Sequence, residues 1–314
     1  MSENDPENAV SELPPEFDQE ALAEAAERFY EIVEHSDQIK LTITSDFREQ
    51  VRGLVEDEEY AANYEQDREH AFALAKTIDR SDGIIHVVVY SGVFDRDRPY
   101  GPALPVLEHE ALHVAVSLRG ESLNDLRKRK AEEALPAPSD IVAMAGVAGE
   151  EYRVERVLAG AGHEGRSPYG ASFEDTARRV YRQIARDVKD YQDHLDVRRL
   201  AEGVLNGFHA LATYTGYVAA EIAAAATSPR EVDIDCEVDD LILGSAWEEV
   251  LEAMIELPPA DHPTTRSELD DAAMRVAVCL HNWLTAIGFD LREENGSSHF
   301  HVRDPAQWVL APGL

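Results

Sequence analysis

Ten residues, Val106-Leu107-Glu108-His109-Glu110-Ala111-Leu112-His113-Val114-Ala115, constrain the chain more than any other stretch. The apolar residues that flank and interleave the polar ones predict a helix over about 104–118 that packs in an interior. Residues four apart on a helix share one face, so His109 and His113 aim two imidazoles at the same point. Neutral imidazole is a preferred donor to zinc, and a catalytic zinc site keeps one position open for water. Glu110 lies between the two histidines, where its carboxylate is placed to act as general base toward zinc-activated water.

In this stretch the chain resembles the HExxH zinc metallopeptidases, the zincins. Leu107, Ala111, Leu112, Val114 and Ala115 are apolar, as that family's pattern implies, and the one further charge, Glu108, falls where the pattern tolerates any residue. Val116 and Arg119 stand where metzincins carry glycine and histidine, which leaves the gluzincin type, with a glutamate from a downstream helix. A helix over about 139–159 contains Gly149-Glu150-Glu151-Tyr152-Arg153-Val154-Glu155. The resemblance implies Glu151 as third ligand. It implies Glu155, one turn on, as partner of a ligand imidazole's other ring nitrogen or as an alternative ligand. Glu150 points away by about 100° of helix rotation. The plainer alternative pairs these glutamates with Arg153 and Arg156 on a wet face.

A weaker resemblance, in the order of elements, is to the ImmA/IrrE-like cytosolic proteases; Tyr152-Arg153-Val154 departs from their pattern after the glutamate. Together these resemblances cover roughly residues 84–160. They imply a zincin-like core, a zinc cofactor and hydrolysis of peptide bonds in a peptide or protein substrate. Such a core holds its substrate by backbone pairing to an edge strand. The motif fixes the nucleophile and not the carbonyl, so a non-peptidic amide remains open, as does a non-catalytic helical regulatory or partner-binding protein. His163, Tyr169 and Tyr152 stand in reach, by sequence order, as donors to a tetrahedral oxyanion. His299 and His301 alternate on a terminal strand and so face one way, while His86 and His281 read as structural.

The charge balance narrows the partners. Sixty-two acidic residues against 29 basic ones give a formal net charge of -33. Such a surface suits high salt, or reflects a coding bias toward Ala, Arg, Asp and Glu, with a surface suited to basic partners as the less favoured reading; all three argue against nucleic acid, whose phosphates need a basic face. The one dense basic run, Arg127-Lys128-Arg129-Lys130, is followed by Glu132 and Glu133 and reads as a solvated helix face. Two cysteines, Cys236 and Cys279, in no CxxC pattern, suit a reducing cytoplasm. No apolar leader opens the chain. The stretch 204–228, rich in Ala, Gly and Thr and interrupted by His209 and Glu221, reads as a buried bundle helix rather than a membrane span.

The whole predicts an α+β protein, mainly α. It has a disordered acidic start (1–16), a metal-binding domain (17–160) with a small sheet and an active-site helix, and a helical region (171–314) ending in a β-hairpin. The β-branched run 84–90 is the strongest strand signal, and 40–44 is a second, shorter one. Helices are expected over 18–34, 58–78, 104–118, 122–133, 139–159, 172–194, 197–227, 238–256 and 266–286. The glycine-rich stretch 160–170 reads as a loop, and the proline-rich 257–265 as a hinge.

Overall fold

The computed structural model describes residues 17–34, 37–65, 67, 68, 71–95, 103–131, 133, 135–162, 169–225, 244–294, 297–303 and 308. It is mainly helical with a small sheet, as expected. Two compact units form: Met1–Gly120 with Ala161–Ser167, and Glu121–Gly160 with Pro168–Leu314. The first unit runs to Gly120, and the helix that follows belongs to the second. The cause is packing: Ile141, Val142, Ala145, Ala148 and Tyr152 of the helix expected at 139–159 belong to the second unit's core.

In the first unit, α1 (Gln19–Ile32) starts where the Asp18 carboxylate accepts from the Ala21 amide at 3.0 Å. β1 (Ile39–Thr44) is followed by α2 (Phe47–Leu54) and α3 (Glu58–Asn63). Then come the short strands β2 (Asp67–Arg68) and β3 (Ala71–Phe72), the strands β4 (Ala75–Asp79) and β5 (Ile85–Tyr90), a 3-10 turn and α4 (Ala103–Leu118). The sheet order is β1-β5-β4, with β1 parallel and β4 antiparallel to β5. Strand alternation divides the central run between two faces. Val87 and Val89 pack with Leu22 and Phe29 of α1 and with Leu107, Ala111 and Val114 of α4. Val88 packs with Phe47, Val51, Tyr64 and Ile78. The motif helix is thus seated on one face of the sheet.

The helix expected over 58–78 forms only as far as Asn63; its last four residues open β4. Arg52 takes the carbonyl oxygens of Ala62 (3.0 Å) and Tyr64 (3.2 Å), which closes α3. Beyond it, Ile78 fills the cluster around Phe47, and β4 gains a full antiparallel ladder with β5. Long-range pairing overrides the local helical preference of Ala71-Phe72-Ala73-Leu74-Ala75.

The second unit holds α5 (Leu126–Arg129), α6 (Ser139–Ala161), α7 (Tyr169–His194), α8 (Val197–Ala225), α9 (Gly244–Ile255), α10 (Arg266–Ala286) and the hairpin β6 (Phe289–Glu294) and β7 (Ser297–Val302). The helix expected at 122–133 shrinks to the four residues of α5. The Glu150 carboxylate instead accepts from Ser122 Oγ (2.8 Å), the Leu123 amide (2.6 Å) and Asn124 Nδ2 (2.8 Å), folding 122–124 into a turn. Gly216 lets α8 approach α6, since a Cβ there would meet the Ala148 carbonyl oxygen at 2.7 Å. α8 covers most of the alanine-rich stretch, and among the described residues no helix is long and apolar enough to cross a membrane. The basic run is paired: Arg127 with Asp140, Arg129 with Asp125 and Asp270, and Lys130 with Glu133.

The stretch 257–265 is held by a buried ion pair. Arg153 is 0% exposed; it donates to the Glu121 carboxylate at 2.8 Å and to the Pro258 carbonyl at 3.0 Å. Its own carbonyl accepts from the Ala260 amide, and the other Glu121 oxygen accepts from the Thr264 amide at 3.1 Å. Arg153 is thus a strut within the unit, not a surface partner for Glu150 or Glu151.

Candidate functional site

α4 carries the motif as a buried helix. His109 and His113 bring their Nε2 atoms to 3.1 Å, with ring centroids 4.7 Å apart and planes at 65°. Two ring nitrogens at this separation either share a proton or direct lone pairs at one cation. Glu110 is buried at 7% exposure, and its Oε2 accepts from the Thr77 hydroxyl on β4 at 2.5 Å. Glu108, expected at a tolerant position, is also buried; its carboxylate accepts from Arg28 Nε on α1 at 2.8 Å. That hydrogen bond, with a second that Arg28 donates to Glu31, holds the Arg28 guanidinium even more firmly protonated than usual. A negative charge inside the apolar run is therefore neutralised from α1.

On α6 the three glutamates have separate surroundings. Glu150 serves the 122–124 turn. Glu151 is half-buried, and its Oε2 accepts from the Tyr217 hydroxyl of α8 at 3.1 Å. Glu155 is buried one turn further on. His109 and His113 belong to the first unit and Glu151 to the second. Imidazole and carboxylate are the donor types that zinc takes.

The other sequence candidates fall elsewhere. Tyr152 is fully buried, its hydroxyl donating to the Ile255 carbonyl at 3.2 Å and accepting from Arg156 at 2.8 Å. Burial pushes its phenol above the usual range, against the pull of Arg156. It is therefore a core residue, not an oxyanion donor. His163 lies outside the described residues. Tyr169 opens α7, so the expected loop 160–170 is helical at both ends, and its side chain lies outside the described residues too. His299 and His301 are exposed on β7. His281 is fixed through Nε2 to the Leu291 carbonyl at 2.9 Å. His86 is central in β5, where burial and then the charges of Lys40 and Arg80 lower its pKa. Burial and the carboxylates of Glu249, Glu256 and Glu252 push the free Cys279 thiol up, away from the thiolate form that ligates metals. Cys236 lies outside the described residues.

Thr77, Tyr217 and Arg28 are site residues that the sequence did not single out. Their signal is contact with Glu110, Glu151 and Glu108, which exists only once the strand and helices are placed. No family model matches the chain, and no curated protein or solved structure matches it either.

Proposed function

We propose that this chain is a zinc-dependent metallopeptidase in which His109, His113 and Glu151 hold the metal and Glu110 is the general base. The observation that carries this is the convergence of the two Nε2 atoms, 3.1 Å apart, on a buried helix that also buries Glu110. A helix serving only as core has no need of two imidazoles facing each other and a carboxylate beside them, because each such polar group costs desolvation. Glu151 is favoured over its neighbours because Glu150 is committed to the 122–124 turn and because the gluzincin resemblance puts the third ligand at Glu151.

Zinc supplies a Lewis acid that polarises the scissile carbonyl and makes water nucleophilic near neutral pH. The protein's residues do the rest. His109, His113 and Glu151 donate neutral nitrogen, neutral nitrogen and anionic oxygen. Tyr217 orients the Glu151 carboxylate through its hydroxyl. Glu110 takes a proton from the attacking water on the oxygen that Thr77 does not engage, then returns it to the leaving amine. β4 pairs with β5 on one side only, and no described strand pairs with its other side. That edge offers an extended peptide a backbone ladder. The low cysteine usage fits a cytoplasmic site of action, and the acidic surface fits a peptide rather than a nucleic-acid substrate.

The test is metal removal. The purified chain, at low and at high salt, is assayed on a mixed library of fluorescence-quenched peptides before and after stripping with a chelator. Hydrolysis is expected to disappear on stripping and to return with added zinc. Hydrolysis indifferent to stripping, or none from the zinc-loaded chain, contradicts the proposal.

A further inference from the structure

We infer that Thr77 is a positioning residue for the Glu110 carboxylate, an assignment that rests on Glu110 being the general base. Strand alternation sends Ile78 into the cluster around Phe47 and turns Thr77 and Asp79 to the opposite face, toward α4. There β4 is clasped to the motif helix twice. The Thr77 hydroxyl donates to Glu110 Oε2 at 2.5 Å, and the Ser117 hydroxyl donates to Asp79 Oδ2 at 3.0 Å. Glu110 and Ser117 are seven residues apart and share a face of α4.

The two clasps have the same chemistry and join the same pair of elements, but only the first engages a residue of the proposed reaction. A glutamate has three side-chain torsions, and a base must sit within about half an ångström of its working position. Thr77 supplies the constraint. Its backbone is fixed in register opposite Val87 on the central strand, and its β-branched side chain is stiff at χ1. A hydroxyl has one proton to give, so it holds one carboxylate oxygen and leaves the other open to water. The same strand carries the edge with which no described strand pairs, so the base is referenced to the element on which an extended substrate would lie.

The comparison uses Thr77→Val, Thr77→Ser, Ser117→Ala and Glu110→Gln, each loaded with zinc and assayed on one peptide that the wild type cleaves. Thr77→Val is expected to lower kcat about tenfold, the equivalent of one lost hydrogen bond to a charged group, with KM and zinc content unchanged. Thr77→Ser restores most of the rate, Ser117→Ala leaves kcat within about twofold, and Thr77→Val adds nothing in a Glu110→Gln background. An independent readout needs no turnover. The Glu110 carboxylate stretch, isolated as the infrared difference between wild type and Glu110→Gln, shifts in Thr77→Val and not in Ser117→Ala. An unshifted stretch, or equal effects of Thr77→Val and Ser117→Ala on kcat, overturns the role of Thr77 alone. A wild type that cleaves no peptide overturns the peptidase assignment instead, whatever the infrared signal does.

Discussion

Arg153→Met is expected to destabilise the second unit by about 3–5 kcal/mol, because it leaves the Glu121 carboxylate buried without its cationic partner. Arg153 also donates to the Pro258 carbonyl, and Glu121 accepts the Thr264 amide, so the substitution releases the stretch 257–265 at the same time. A buried pair need not be net stabilising against an apolar replacement of similar volume, and breaking one side costs more than removing both. The double variant Glu121→Leu with Arg153→Met is therefore expected to recover part of the loss. All three tryptophans, Trp247, Trp283 and Trp308, belong to the second unit, so tryptophan fluorescence during urea unfolding follows that unit. A single variant within about 1 kcal/mol of wild type removes Arg153 from its structural role.

Glu110→Gln is expected to lower kcat by roughly 10²–10⁴, the usual range for loss of a general base. The amide has the carboxylate's shape and can still accept the Thr77 hydroxyl, so the loss is expected in the proton transfer and not in the fold. Zinc content and thermal stability stay near wild type while turnover collapses. Such a split separates a base from a structural glutamate. Glu108→Gln is the contrast: it weakens the tie to Arg28 and is expected to act on stability instead. A Glu110→Gln variant that keeps turnover within about tenfold of wild type rules out the proposed role.

What could be read from the sequence follows from how local its cause is. α4 was legible because its apolar flanks, its histidine spacing and its length all point the same way. β5 was legible because an uninterrupted β-branched run has few other homes. α10 forms over the stretch expected, and in the structure Thr265 and Glu268 close a capping box at its start. β4 was not, because Ala71-Phe72-Ala73-Leu74-Ala75 favours a helix locally and only the ladder to β5 makes a strand. The loss of helix around 122–124 has the same character, since its cause, Glu150, lies on another element.

The site divides along the same line. Two histidines and a glutamate on one helix announce themselves by spacing. The proposed third ligand does not, because Glu150, Glu151 and Glu155 are chemically alike and differ only in what surrounds them. Glu150 meets the backbone of a turn, whereas Glu151 meets a tyrosine hydroxyl. Thr77 and Tyr217 were beyond reach for the same reason, as contacts made by elements distant in sequence.

Whether the facing histidines hold a metal is decided by elemental analysis of the purified chain beside His113→Ala and Glu151→Ala, at low and at high salt. About one zinc per chain is expected in the wild type, as in a three-ligand site, with its loss in both variants. Wild-type protein that takes up no zinc even after reconstitution contradicts the proposed metal site and leaves the two facing histidines as a feature of a buried helix alone.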